Sequence, residues 1–178
     1  AHVDGMRERT IIVNGVSKAY AMTGWRIGFI AAPEWIVKGC NKLQGQYTSG
    51  PCSVSQKAAE AAYTTSQECV ETMRKAFERR RDLIVELASQ IPGLEVNKPE
   101  GAFYLFPKCS SFFGKSYNGK TINNSTDLAM FLLEVGHVAT VGGDAFGDPY
   151  CFRMSYATSD DNIREALKRI KETLALLS

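Results

Sequence analysis

Two apolar runs, Ile11-Ile12-Val13 and Ile27-Gly28-Phe29-Ile30, enclose a stretch containing Asn14-Gly15, Ser17-Lys18, Thr23-Gly24 and Trp25-Arg26. Short apolar runs bounded by turn residues predict two buried strands, which confines a lysine and an arginine to one glycine-punctuated loop. An ordinary loop of solvated charges is the first reading. Three features favour a second. Trp25 and the run beside Arg26 would hold the guanidinium against a buried surface. Gly15, Gly24 and Gly28 allow the backbone to approach something closely or to take positive φ. Ser17 adds a hydroxyl next to Lys18. Such a loop suits a phosphate, with Arg26 as a planar fork and Ser17 as a second donor, and Lys18 is left to react.

At 178 residues the chain is long enough to bury a core as one domain or one and a half, and its net charge of +2 gives no electrostatic footprint for nucleic acid or an anionic membrane. The densest basic cluster, Arg79-Arg80-Arg81, lies in a helical pattern beside Glu78 and Asp82 and reads as a solvated helix face. Five cysteines (Cys40, Cys52, Cys69, Cys109 and Cys151) form no CxxC, and the histidines are His2 and His137. That spacing supports no zinc site and no disulfide framework. It predicts reduced thiols and a soluble protein of an intracellular compartment, with no apolar run of membrane-spanning length. Gly114-Lys115-Ser116 copies the tail of a phosphate-binding loop, but Cys109 stands where that motif needs its first glycine.

Along the chain, Pro33 predicts the start of a helix carrying Trp35, Ile36, Val37 and Leu43, followed by a polar loop over 44–51 and a helix over 53–63. Residues 68–91 place apolar side chains at Val70, Met73, Phe77, Ile84, Leu87 and Ile91, close to the helical period, with charge on nearly every face of the middle. A helix packed at both ends and wet between them suits a connector, and Pro92-Gly93 ends it. An α+β pattern follows. Strands are predicted at 94–96 and 102–106, then a polar loop over 110–124 with an Asn118-Gly119 turn, then a helix capped by Ser125 or Thr126. Further strands at 138–141 and 151–157 flank a glycine-rich turn, and a closing helix begins at Ser159-Asp160-Asp161.

In the strand over 151–157, alternation puts Phe152, Met154 and Tyr156 on one face and Cys151, Arg153, Ser155 and Ala157 on the other. Small neighbours on its own face leave room at Arg153. The pattern fits a structural ion pair as well as a fork aimed at a substrate carboxylate.

Ser17-Lys18 followed by Met22-Thr23-Gly24-Trp25-Arg26-Ile27-Gly28 resembles the cofactor-lysine motif of class I aminotransferases, pyridoxal-phosphate enzymes of fold type I. Phe152-Arg153-Met154-Ser155-Tyr156-Ala157 is similar to the family's arginine motif. Pro99-Glu100-Gly101-Ala102-Phe103-Tyr104 and Gly143-Asp144-Ala145-Phe146-Gly147 are similar to its small-domain signatures, with Gly142 where most members carry proline. The resemblance covers nearly the whole chain and is closest to the plant-type and bacterial aspartate/prephenate subgroup.

It implies an α/β chain comprising the C-terminal part of a fold type I large domain (1–70), a connecting helix (71–92) and the α+β small domain (93–178). It implies pyridoxal 5'-phosphate as cofactor, bound by Lys18 as a Schiff base, by Arg26 at the phosphate and by Ser17. Lys18 is also the proton shuttle, Arg153 grips the substrate α-carboxylate, and no metal takes part. The implied reaction exchanges an amino group between aspartate or glutamate and a 2-oxo acid, prephenate among the acceptors. Kynurenine or alanine transamination, C–S β-lysis and a non-catalytic domain keeping the fold are the alternatives. The family is dimeric, and Tyr47 and Thr48 in the polar loop are expected near the interface. The compartment is cytoplasmic, or a plastid if the source is a plant. The family's aspartate for the pyridine nitrogen lies upstream of the lysine, so this chain by itself is expected to be inactive.

Overall fold

A computed structural model describes residues 3–178; His2 lies outside them. The chain divides into two compact units, one ending at Met73 and one spanning Arg74–Ser178.

The first unit holds the hairpin β1 (Ile12–Gly15) and β2 (Gly28–Ala31) and the helices α1 (Glu34–Tyr47) and α2 (Ser53–Thr64). The strands pair antiparallel from Ile12↔Ala31 to Gly15↔Gly28. Their positions follow the apolar runs, but the expected burial is missing. No residue of β1 or β2 is buried, and Val13 is 77% exposed. A two-stranded ribbon has two faces, and the described residues bury neither of them. Pro33 precedes the first turn of α1, and the helix continues through Gln44 and Gln46 to Tyr47, shortening the predicted polar loop. Gln44 and Gln46 are good helix formers, and Gly45 alone does not break a turn.

The helix α3 (Glu68–Ser89) begins in the first unit and continues in the second. It is not packed at both ends as the periodicity suggested. Its buried residues, Leu83, Ile84 and Ala88, all belong to its C-terminal half. Val70 and Met73, which complete the apolar stripe, reach only partial burial. The basic cluster is more than a solvated face. Arg79 donates to both oxygens of Asp160 at 3.0 and 3.1 Å, and Arg80 donates at 3.4 Å. Hydrogen bonding from Arg79 holds the Asp160 carboxyl below the usual carboxylate range.

The second unit also contains a sheet of β3 (Tyr104–Leu105), β7 (Phe152–Ser155) and β6 (Val141–Gly142), with β7 central and all pairings antiparallel. A separate hairpin, β4 (Ser116–Tyr117) and β5 (Lys120–Thr121), turns through Asn118 and Gly119, both at positive φ as a two-residue turn of this kind requires. It occupies part of the predicted polar loop, and Ser116 is a strand residue in it. The predicted strand at 94–96 is reduced to one bridge, Glu95↔Lys108. Two helices complete the unit, α4 (Ser125–Glu134) and α5 (Asp160–Leu174).

Asn124, rather than Ser125 or Thr126, caps α4 by accepting from the Asp127 amide at 2.8 Å. Ser125 is fully buried and instead accepts the Gly143 amide at 3.0 Å. Ser159 caps α5. The core joins Ile84 and Ala88 of α3, Leu128 and Leu132 of α4, Phe152 and Met154 of β7, and Ile163, Leu167, Ile170 and Leu174 of α5. One face of β7 is therefore spent on the core and the other is free for different work.

Candidate functional site

The loop over 16–27 is closed by the last pair of the hairpin. Gly15 faces Gly28, and a Cβ on Gly15 would lie 3.0 Å from the Ile27 carbonyl oxygen and 3.2 Å from the Gly28 Cα. Close approach, not positive φ, is what these two glycines supply. Gly24 has open space around it and an ordinary φ, so neither expected reason applies to it.

Val16, buried at 1% exposure, follows the strand, and the chain turns through Ser17 and Lys18 with the Tyr20 amide donating to the Val16 carbonyl at 3.3 Å. A 3-10 turn, Thr23–Trp25, leads back to β2. Ala21 and Arg26, at φ 53° and 52°, flank it in the left-handed region. A non-glycine residue there costs roughly 1–2 kcal/mol, and two such residues mark the loop as a place where conformation is held against local preference.

What holds it is an aromatic anchor that sequence reasoning missed. The Tyr20 hydroxyl donates to Gln67 Oε1 at 2.7 Å. The Tyr20 ring meets Tyr63 of α2 edge-on at 5.2 Å, and Phe29 of β2 meets the same ring at 5.6 Å. Tyr20 within the loop and Phe29 in the strand that follows it thus meet one ring. The available signal was an aromatic inside the lysine–arginine segment, Tyr20, and another just beyond it, Phe29.

The structure places Ser17, Lys18 and Arg26 in this one loop. Ser17 is partly buried and Lys18 is exposed. Arg26 is not held against a buried surface as expected. It is exposed, Trp25 beside it is 45% exposed, and Arg26 Nη1 donates to the Thr23 carbonyl at 2.9 Å. The reason is the one that leaves the hairpin exposed: the described residues around it do not bury it. Tyr47 is the last residue of α1 rather than a loop residue; it is 84% exposed, and Thr48 follows it as the helix cap.

Arg153 belongs to the second unit and sits in β7, opposite Val141. Its strand neighbours are small, as expected, but the space is not empty. The guanidinium lies over the rings of Tyr104 and Phe146, 4.3 and 4.0 Å from their centroids. Alternation along β7 describes only that strand, whereas these rings come from β3 and from the turn Gly143–Phe146. No carboxylate pairs with Arg153 among the described residues, so the ion-pair reading finds no partner. Gly142 has φ −58° and ψ 149°, a backbone that proline would also adopt, while Thr126 Oγ1 fills the space a Cβ would need.

The profile of the family described as Aminotransferase class I and II matches residues 1–170. The bifunctional aspartate aminotransferase and glutamate/aspartate-prephenate aminotransferase of Petunia hybrida is 48% identical over 99% of this chain and 38% of its own length. The aspartate aminotransferase of Rhizobium meliloti (strain 1021) is 47% identical over 98% of this chain and 43% of its own. A crystal structure of the Rhizobium meliloti enzyme superimposes with a TM-score of 0.95 at 46% identity, covering 99% of this chain and 44% of that one. An aromatic aminotransferase from Pyrococcus horikoshii follows at TM-score 0.87 and 40% identity. The chain therefore has the mixed helix-and-sheet fold of the C-terminal part of these enzymes. It belongs to the class I and II aminotransferases, and it spans about two fifths of the length of the curated relatives it matches.

Proposed function

We propose that this chain works within a longer polypeptide that exchanges an amino group between aspartate or glutamate and a 2-oxo acid, prephenate among the acceptors, with pyridoxal 5'-phosphate as cofactor. The observation that carries this reading is the loop over 16–27, where one strained, aromatically anchored turn carries an amine, a hydroxyl and a guanidinium. That donor set fits an aldehyde bearing a phosphate. Lys18 would hold the aldehyde carbon, and Arg26 and Ser17 the phosphate oxygens. When bound, the cofactor supplies an electron sink for the pair left at the substrate α-carbon.

In this reading Lys18 Nζ, once the substrate amine has displaced it from the aldehyde carbon, would take the proton from the substrate α-carbon and deliver it to that former aldehyde carbon. Arg153 binds the substrate α-carboxylate through its planar N–H edge. An amine that accepts a proton near neutrality needs burial or neighbouring cations to weaken its hold on its own proton. This chain spans about two fifths of the length of its curated relatives, and that supports assigning activity to a longer, homodimeric protein and inactivity to the chain alone. In that protein residues 1–70 are large-domain structure, 71–92 a connecting helix and 93–178 the small domain, with Tyr47 and Thr48 at the dimer interface.

The test is an amino-transfer assay on the full-length protein with aspartate or glutamate as donor. Appearance of the donor's oxo acid together with the acceptor's amino acid supports the reading. Release of ammonia or a thiol without amino exchange would assign a β-lyase instead. Absence of cofactor binding would assign a non-catalytic domain.

A further inference from the structure

We propose that Tyr104 and Phe146 are positioning residues that hold the Arg153 guanidinium by its faces, so that its in-plane donor edge stays open for a carboxylate. The proposal rests on the reading of Arg153 as the carboxylate-binding residue and adds how it is kept ready.

A long arginine side chain on a strand has many rotamers, and one geometry must be selected before a two-oxygen, two-donor contact can form. An ion pair with a resident carboxylate would select it but would occupy the very N–H groups the substrate needs. Ring faces attract the guanidinium through its flat sides and leave the edge unspent. The centroid distances of 4.3 Å to Tyr104 and 4.0 Å to Phe146 are those of such contacts, and no resident carboxylate competes among the described residues.

Both rings are themselves fixed. Tyr104 is paired across the sheet with Ser155, two residues along β7 from Arg153. Phe146 is set by the turn that starts at Gly143, where a Cβ would stand 2.1 Å from the Asp148 carbonyl oxygen and 2.3 Å from that of Cys151. The turn closes at Gly147 with φ 89°, and the Gly143 amide is tied to the buried Ser125 hydroxyl. Phe106 meets the Phe146 ring edge-on at 6.2 Å and 89°. The ordering of Arg153 is thus completed when the unit folds, before any carboxylate arrives.

The test uses the full-length holoenzyme carrying Arg153→Leu, Tyr104→Leu, Phe146→Leu or Phe146→Tyr, each checked for an unchanged melting temperature. The ring deletions are expected to raise KM for both amino-acid and oxo-acid substrates by about tenfold while kcat changes by less than about twofold. Phe146→Tyr, which keeps a ring face, is expected to restore the parent KM. A second readout needs no turnover: the Arg153 Nε–H signal in nitrogen-edited NMR of the full chain, assigned by its loss in Arg153→Leu. It should be displaced upfield by the rings and should move toward the position of exposed arginines in Phe146→Leu. An unchanged KM in both ring deletions, beside a raised KM in Arg153→Leu, would overturn the clamp alone. An unchanged KM in Arg153→Leu would overturn the carboxylate reading and the clamp's purpose with it. A ring deletion that fails to fold leaves the decision to the NMR position in the parent chain, where an unshifted signal overturns the clamp.

Discussion

The two units treat their apolar residues differently. Up to Met73, Val16 and Ser55 are the only buried residues among those described, while Trp35, Val54 and Leu43 stand 74%, 66% and 61% exposed. Beyond Met73, two helices and the end of a third close around a three-stranded sheet and bury Leu128, Leu132, Phe152 and Ile170 completely. One family profile and one structural match span both regions. The second unit closes its own core, whereas the first carries an apolar pattern whose covering layer is not among the described residues. Its loop over 16–27 is consequently shaped by local means, by facing glycines, left-handed residues and a tyrosine anchor, rather than by burial.

The largest expected effect comes from paired leucine truncations. Leu132→Ala removes side-chain atoms from a site with no exposure and should destabilise the second unit by about 2–5 kcal/mol in urea unfolding. Leu43→Ala, on an exposed helix face, should stay within about 0.5 kcal/mol. Similar values for both would erase the distinction between the units. Next, Asn124→Ala removes the α4 cap and should cost about 1 kcal/mol, while Thr126→Ala at the alternative cap position should cost much less. The reverse order would return the cap to Thr126, one of the two positions expected from the sequence.

A smaller effect separates the thiols. Burial, with Cys151 and Asp148 nearby, pushes Cys109 up to about 12; burial and hydrogen bonding to Asp148 push Cys151 up to about 11. Cys40, Cys52 and Cys69 are exposed, and backbone amides of Ser55 and Val54 lower Cys52. Alkylation of the folded chain at about pH 8 should therefore modify Cys52 first and spare Cys109 and Cys151. The two raised thiols retain protons that the unfolded chain gives up around 9. Their contribution to stability is thus complete below that pH and is lost as pH rises through 11 to 12, and the urea midpoint should fall on the alkaline side. A midpoint that rises there would contradict the burial.

How much of this was legible from residues alone follows from how local each signal is. The stripe Ile163, Leu167, Ile170 and Leu174 and the cap Ser159 are local, and α5 stands where they put it. The cap of α4 was harder because Asn123, Asn124, Ser125 and Thr126 are all competent caps, and the buried hydrogen bond from Gly143 to Ser125 that breaks the tie crosses from another segment. Lys18, Ser17 and Arg26 were found together because one loop carries them. The exposure of Arg26 was missed because an apolar flank implies a covering layer without supplying one. The rings at Arg153 were missed for a related reason: Tyr104 and Phe146 meet it only through strand pairing and a tight turn, and neither is written in the alternation of β7.

The central claim is that Lys18 is the residue that holds the cofactor. Borohydride reduction of the full-length protein in the presence of pyridoxal 5'-phosphate, followed by peptide mass spectrometry, fixes the cofactor to whichever amine carried it. The account predicts the label on Lys18 and its disappearance in Lys18→Ala. A label on another lysine, or one that persists in that variant, would contradict it.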